Sequence, residues 1–597
     1  MESSAPRGGS RPAGEAQAAA APQSSAPAPA LAAGDSIAES GAGAAIVERH
    51  RGLVSRAALV SGFTLLSRVL GMLRETWTSA LLGDSSAVGD ALTTAWRLPN
   101  LFRRLLGEGA LSTSLQTALT EADHEGGNAA GRQLFRETLR LATIVLLGVC
   151  AAAMGLVLLV PERMPFFGWN LLGQDPEALR QLSLQLLPFL VFVCLSALIA
   201  GALQVRGEYT SSNLAPILLN VVWVAVLGAL GWQSGLFSGG AASELSRDEQ
   251  LALAHTLGWA TLAAGVLQVL VQLPALKRHG LWVFDRAREP ASRAAQRARG
   301  VFRDSVPLAL GAAVYQINVT VDGLMANSML REGGALAYNN ATRVQQLPMG
   351  LVAVAATSAV FPAFKALGHV GKLRELRLLH DRTQMAIAFV ALPASIALAA
   401  LAGPISELLF LHGRYGPEGV ERVSASLRLL ALVVLPAGAQ GLLSRAHYAL
   451  GDFRTPVRVS LALFALNVPL NVLCVRAFGM DADGLALATV VTSWVGVAAL
   501  QPGLRRALGP AEASERYGRR LLALVAAALL SSAAALGTHA LFGLQPGEGS
   551  GPRGALALGA AIAVGIGAYL ALAQLARAPE WTHLRERWAA RRARRAA

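Results

Sequence analysis

"LLSRVLGMLRETWTSALLG" (Leu65–Gly83) decides how this chain is read. Its Leu, Val, Trp and Ala belong to a membrane helix, yet Arg68, Arg74 and Glu75 lie within it. The next apolar segment, "GDALTTAWRLPNLFRRLLGEGALS" (Gly89–Ser112), carries Asp90, Arg97, Arg103, Arg104 and Glu108. Composition identifies the solvent. The chain has 597 residues, is 53% hydrophobic and is only 15% charged, where a soluble domain is about a quarter charged. The formal net charge of +14 does not point to nucleic acid, because Lys and Arg fall between apolar stretches rather than along one face. Cys150, Cys194 and Cys474 each sit in an apolar run, without metal-ligand spacing or a disulfide framework, and read as small core residues.

Windows of about 20 apolar residues, enough to cross a hydrocarbon core about 30 Å thick, recur about fourteen times, from 57–82 and 89–118 to 520–542 and 554–576. The segments between them alternate in charge. Arg132 and Arg136, Arg206, the stretches Lys277–Arg299 and Lys365–Arg382, Arg454 and Arg458, and the tail from Arg585 fall on one side. Segments such as "GDSSAVGD" and "GMDADG" fall on the other. By the positive-inside rule both termini are cytoplasmic, and an even number of spans agrees.

A weak repeat runs through the chain. "RLPNLF" at Arg97 pairs with "QLPMGL" at Gln346, and "NVVWVAVLGALG" at Asn220 with "NVPLNVLCVRAFG" at Asn467, at an offset of roughly 245–250 residues. Parallel repeats are a transporter signature, with the substrate site between the halves. The expected architecture is an all-α integral membrane protein with two six-helix lobes in parallel repeat and two C-terminal helices. Residues 1–50 form an Ala/Pro-rich cytoplasmic tail that cannot bury a core. The first lobe spans 51–280, the second 281–510 with its basic linker, the last two helices 511–580, and a basic tail 581–597.

An arginine at mid-membrane costs at least about 2.5–3.5 kcal/mol and usually faces a bundle interior or a wet cavity. Snorkelling to the headgroups is the bland alternative; it suits Arg103 and Arg104 better than Arg68 and Arg74, which lie well inside their span. On an α-helix Asp90, Arg97, Arg104 and Glu108 share a narrow stripe fit to line a polar cavity. Pro99 interrupts that helix and can shift its phase, so Arg103 rather than Arg104 could face inward, and the residues leave both open. In the second half "YNNATRVQQLPMG" places Arg343 at the start of another span. Guanidiniums converging from both halves would bind a phosphate or pyrophosphate in bidentate fashion.

At these residues the chain resembles the MurJ (MviN) family of lipid II flippases. The likeness runs from "SRVLGMLRE" and "GDALTTAWRLPNLFRRLLGEGALS" through "SSNLAPILLN", "RVQQLPMGLVAVAATSAVFPAF" and "GDFRTPVRVSL", over about residues 57–576. It implies fourteen helices, a fold shared with multidrug and oligosaccharidyl-lipid exporters, and residence in the bacterial inner membrane. It also implies that lipid II (undecaprenyl-pyrophosphate-linked disaccharide pentapeptide) is carried to the outer leaflet for peptidoglycan synthesis, whose machinery is the expected protein partner. The family's functional arginines carry over to Arg68, Arg74, Arg103 and Arg343, its cavity aspartate to Asp90, and a groove by the last two helices would hold the polyprenyl tail. Two departures stand out: Thr342 precedes Arg343 where many relatives have Asp, and Glu75 follows Arg74.

No cofactor is required, and the resemblance implies coupling to sodium or to membrane potential. Asp322, in "YQINVTVDGLMANSML", and Asn467 and Asn471, one turn apart in "ALNVPLNVL", are the donors for sodium; an Asp322 hydrogen-bonded across helices or protonated is the alternative. "GHVGKL" at Gly368 lacks the glycine spacing and the Ser or Thr of a P-loop. A flippase for another polyprenyl-linked oligosaccharide and a membrane glycosyltransferase are the competing readings. The second would need catalytic carboxylates or a metal motif on a large loop, and the loops here are short and basic.

Overall fold

A computed structural model describes residues 41–107, 110–161, 172–235, 244–283, 291–357, 360–509, 514–545, 547–582, 585–586 and 589, with backbone alone at 41–61, 106–107, 110, 291–292, 307–315, 351–357 and 514–516. The chain divides into Met1–Ala58 and Leu59–Ala597. Of the first unit, the described part is the beginning of a helix that starts at Gly41, inside the tail's expected boundary at 50; residues 1–40 lie outside the described set. All that follows concerns the second unit.

Every described element is helical. The first bundle holds α1 (Gly41–Leu82), α2 (Ala87–Phe102), α3 (Ala110–Leu159), α4 (Pro176–Leu186), α5 (Phe189–Val205), α6 (Thr210–Gln233), α7 (Arg247–Leu270) and α8 (Leu273–Arg278). The second holds α9 (Ala291–Met329), α10 (Gly334–Thr357), α11 (Phe361–His369), α12 (Leu373–Ala400), α13 (Ala402–Phe410), α14 (Pro417–Leu430), α15 (Val434–Ala449), α16 (Arg454–Val472) and α17 (Ala482–Leu508). The last pair, α18 (Ser514–Ala540) and α19 (Pro552–Leu575), leans on α12, where the Tyr569 hydroxyl donates to the Phe389 carbonyl at 2.7 Å.

Local chemistry sets the ends. Asp175 caps α4 by accepting from the Ala178 amide at 3.0 Å, with Pro176 at the first helical position, where its missing N–H costs nothing. Ser246 and Glu249 form a reciprocal capping box at the start of α7. Gly127, at φ 65°, reverses α3 between two helical arms.

Among the described residues, ten helices or helix pairs are long and apolar enough, by length and composition, to cross a membrane. The helices outside that set include α1, α2, α9 and α10, the four that carry the charges singled out above. The expected count of fourteen therefore rests on those four as well.

Between helices in lipid there is no hydrophobic drive, so close backbone approach matters. A Cβ on Gly201 would lie 2.4 Å from Ser112 Oγ, and one on Gly265 would lie 2.8 Å from the Phe189 ring. Large apolar side chains point outward instead, among them Leu159, Leu522 and Leu575.

The two bundles repeat each other at their first helices. Asn220 of α6 donates to the Ser67 carbonyl of α1 at 3.1 Å. Asn471 of α16 donates to the Asp322 carboxylate of α9 at 2.9 Å. The two Asn motifs paired in the sequence thus tie α6 to α1 in the first bundle and α16 to α9 in the second.

Candidate functional site

Ser86 starts α2 by accepting from the Gly89 amide at 2.8 Å. Thirteen positions on, Pro99 lacks the N–H that an α-helix needs, and the chain relaxes into a π-helical turn at Arg103–Gly107. Adjacent helical side chains diverge by about 100°. Arg103 therefore enters one hollow and Arg104 another, with Asn100 on the ridge between them. Both arginines face the interior, which answers the question of phase.

The first hollow, of about 630 Å³, is lined by Arg68, Arg74, Glu75, Asn100, Arg103 and Arg343 among others. The second, of about 450 Å³, is lined by Arg97, Arg104, Asp322 and Arg343. Asn100, Arg343 and Gln346 belong to both walls, so the hollows adjoin. The four arginines singled out by the resemblance share the first. Arg68 is exposed at its margin, its guanidinium lying against Gly350 of α10, where a Cβ would meet it at 2.2 Å. Arg103 donates twice to Asn100 Oδ1, at 3.0 and 2.8 Å.

Arg74 is the most enclosed of the four, at 7% exposure. Its guanidinium lies 5.6 Å from the Trp96 ring and 5.2 Å from the Trp223 ring, an arrangement that favours a delocalised cation. Nη1 donates to Asn220 Oδ1 at 3.2 Å and Nη2 to Glu75 Oε1 at 2.6 Å. The same Glu75 oxygen is 3.3 Å from Arg343 Nε on the opposite bundle, and Asn339 donates to the other oxygen at 3.4 Å. Glu75, read in the sequence only as the neighbour of Arg74, pairs with both Arg74 and Arg343 across the two bundles. It supplies to Arg343 the carboxylate that Thr342 cannot, since the Thr342 hydroxyl donates to the Tyr338 carbonyl of its own helix.

Among the described lining residues of the first hollow, four guanidiniums face a single carboxylate. The surplus is positive, in a space partly shielded from bulk water, where charge interactions are stronger than at a surface.

Asp90 does not line either hollow. It is 2% exposed, and its carboxylate accepts from the Gly333 and Leu336 amides at 2.8 and 2.7 Å, capping the start of α10. Periodicity places Asp90 on the same stripe as Arg97 and Arg104 but says nothing of depth. Seven residues of helix span about 10 Å, so the Asp90 end of the stripe lies in the seam between the bundles. Glu108, the last residue of the stripe, lies outside the described residues.

That seam is a seal. Asp84 accepts from the Gly416 and Gly419 amides at 3.2 and 2.9 Å, at the start of α14. Arg414 N–H donates to the Ala80 carbonyl at 2.9 Å, Asn340 Nδ2 to Ser79 Oγ at 2.8 Å, and Gln174 to the Leu330 carbonyl at 3.2 Å. Gly333 is held at φ 77°, and a Cβ there would stand 1.6 Å from the Asp84 carbonyl oxygen. Only glycine fits that approach. Two carboxylates of the first bundle thus grip helix N-termini of the second, where backbone N–H groups are unpaired within their own helix.

Asp322, Asn467 and Asn471 come together as expected. Asn471 Nδ2 donates to Asp322 Oδ1 at 2.9 Å and to Asn467 Oδ1 at 3.1 Å, while Asn471 Oδ1 and Asn467 Nδ2 have no hydrogen-bond partner. The donor types fit a small hard cation. The placement fits one once the Asn471 amide turns its oxygen toward the carboxylate; as placed, the amide itself serves Asp322.

Residues 78–547 match the family model described as "Lipid II flippase MurJ". A probable lipid II flippase MurJ of Rhizobium meliloti (strain 1021) is 30% identical over 455 residues, covering 74% of this chain and 79% of the relative. The lipid II flippase MurJ of Burkholderia cenocepacia is 28% identical over 482 residues, covering 79% and 87%. Among solved structures, one of lipid II flippase MurJ in an inward closed conformation aligns with TM-score 0.64 at 18% identity, covering 87% of this chain and 98% of that one. An inward-facing multidrug transporter of the MATE family aligns with TM-score 0.54 at 15% identity, covering 74% and 95%. Paired bundles, arginines around a shared hollow and a match across most of the length lead to one assignment: the chain belongs to the lipid II flippase MurJ family.

Proposed function

We propose that the chain flips lipid II from the inner to the outer leaflet of the bacterial cytoplasmic membrane by alternating access. It acts as a transporter that makes and breaks no covalent bond. The observation that carries this reading is the set of four guanidiniums, Arg68, Arg74 and Arg103 from one bundle and Arg343 from the other, around one hollow.

A pyrophosphate diester is doubly charged and offers several oxygens to planar donor forks. In its absence Glu75 holds Arg74 and Arg343 together. A pyrophosphate entering the hollow competes with Glu75 for the same donors and exceeds it in charge. The seal of Asp84 and Asp90 lies opposite the end that bears Arg206 and its partner Asp123, and the charge pattern supports reading the sealed end as the outer one. Transport requires that seal to open and the inner mouth to close around bound substrate. The same orientation has α1, α2, α9 and α10 cross the membrane, both termini in the cytoplasm, and the polyprenyl chain in lipid beside α18 and α19. The peptidoglycan-synthesis machinery is the corresponding protein partner.

Depleting the chain from its host is expected to trap lipid II in the inner leaflet, read by a leaflet-specific lipid II assay, and re-expression to restore outward exposure. Outward lipid II that persists at its normal level after depletion would sink the reading.

Sodium or membrane potential would reset the cycle. Asp322, Asn467 and Asn471 are the chain's own donors for sodium, which when bound supplies a counter-charge to Asp322. Wild-type flipping in vesicles is then expected to rise with sodium, and that of Asp322→Asn to be flat and reduced. An Asp322→Asn variant that tracks wild type at every sodium concentration removes sodium from the scheme.

A further inference from the structure

Arg97 reaches from α2 of the first bundle onto α9. Its guanidinium lies against Gly323, where a Cβ would stand 2.2 Å from Nε and 2.3 Å from Cζ, and Nη1 donates to the Val319 carbonyl at 3.4 Å. Gly323 is the residue after Asp322. The cation is therefore seated on backbone next to a carboxylate, and the two attract each other, with Glu75 as a second carboxylate within reach of Arg97. Asp322 meanwhile accepts from Asn471 Nδ2 at 2.9 Å. The cluster is not fully satisfied. Among the described residues Arg97 Nε, Asn471 Oδ1 and Asn467 Nδ2 are buried with no hydrogen-bond partner. Buried polar groups are normally paired, so unspent donors and acceptors around one carboxylate mark a site with more than one arrangement.

Asp322 has one negative charge and two claimants. Arg97 is a cation tethered to the first bundle. A small cation held by Asp322, Asn467 and Asn471 would be a second positive charge in the same shielded space, where like charges repel far more strongly than in water. The claim of Arg97 depends on how the bundles are docked. Asp322 belongs to the part of α9 whose Met325 and Met329 pack in the second bundle's core. Arg97 rides on α2, whose Val88, Ala91, Leu92 and Ala95 pack in a core of the first. A rotation that parts the bundles therefore draws the guanidinium away from the carboxylate.

We propose that Arg97 is a tethered competitor for the cation site. Docked against α9, it lends Asp322 its positive charge and repels sodium; withdrawn with α2, it leaves Asp322, Asn467 and Asn471 free to hold the ion. The inference rests on the sodium reading and adds to it the regulation of that site by the position of the bundles. Linkage makes the effect reciprocal. Whatever parts the bundles tightens the cation site, and an Asp322 that carries a cation no longer holds Arg97 in its seat.

The test reads sodium binding to the full chain in detergent, with radioactive sodium and by the sodium-dependent rise in melting temperature, at ionic strength held constant with choline. Arg97→Gln is expected to bind sodium about tenfold or more tightly than wild type. Arg97→Lys, which keeps the charge, is expected to stay near wild type, and Asp322→Asn added to Arg97→Gln to abolish the gain. A disulfide between Ser79→Cys and Asn340→Cys, side chains that meet at 2.8 Å across the bundles, holds them docked. It should weaken sodium binding about tenfold where Arg97 is present and leave the Arg97→Gln chain unchanged. Equal sodium affinity of wild type and Arg97→Gln, lost from both with Asp322→Asn, overturns the inference and leaves the sodium reading standing. So does an Arg97→Lys chain that gains as much as Arg97→Gln, or a cross-link that weakens both backgrounds alike. Absence of Asp322-dependent sodium binding from wild type and Arg97→Gln together would instead sink the sodium reading, and the inference with it.

Discussion

Arg74→Ala is expected to leave depleted cells without rescue, with outward lipid II at the level of uncomplemented cells and normal amounts of protein in the membrane. Three interactions disappear together: the stack between Trp96 and Trp223, the bond to Asn220 and the pair with Glu75. The guanidinium would offer a bound pyrophosphate charge-assisted hydrogen bonds worth about 1.5–3 kcal/mol each, so losing two of them corresponds to a loss of substrate affinity of about two to four orders of magnitude. Arg74→Lys separates charge from shape. It keeps the positive charge but gives up the planar fork and the stack, and a partial loss of about tenfold is expected. Leaflet-specific labelling of lipid II in complemented strains reads both variants. Full rescue by Arg74→Ala would dismiss the first hollow as the pyrophosphate site.

Glu75→Gln tests the carboxylate at the centre. It leaves the guanidiniums of the first hollow without their counter-ion, with Arg74 and Arg343 3.3 Å or less from the altered group. The substrate-free protein should then be strained by repulsion, and its melting temperature is expected to fall by about 2–4 °C, the scale of the 3–5 kcal/mol lost with one partner of a buried charge pair in a chain of this size. Added inorganic pyrophosphate should restore the variant more than it raises wild type, because the anion replaces a missing group rather than displacing one. Flipping should drop about tenfold, since release of the substrate needs an internal anion to reclaim the two arginines. The thermal measurement and the vesicle assay are independent. A variant with wild-type melting and a wild-type response to pyrophosphate would show that Glu75 merely fills space.

The parts of this site that are legible in the sequence share one property: they break the apolar background. Arg68, Arg74, Arg103 and Arg343 stand out because a membrane window tolerates so few charges, and Asp322 with its two asparagines stands out for the same reason. Depth and partnership are hidden. The periodicity of Asp90, Arg97 and Arg104 names a face of a helix, not which of the three meets the seam. The divergence of Arg103 and Arg104 depends on a π-helical turn that Pro99 permits but does not dictate. Glu75 looks like a local neighbour of Arg74, and its bond to Arg343 crosses the interface between the bundles. The seal leaves no motif because its acceptors grip backbone amides, which every residue but proline carries. Gly333 is its one trace, a glycine whose necessity emerges only beside the Asp84 carbonyl.

α9 carries a mechanical consequence. It runs without interruption over 39 residues, close to 60 Å of rod at about 1.5 Å per residue. Ala298 and Val301 near its start are embedded in the first bundle's core, and Met325, Ala326 and Met329 near its end in the second's. A beam clamped at both ends cannot pivot freely, so tilting one bundle against the other must be absorbed as flexure between the clamps. Pro307 falls in that stretch and deletes one rung of the helical ladder there. The two openings of the carrier then differ by the elastic load in a single beam, and the clasp at the far end need only balance that load for both shapes to stay within thermal reach.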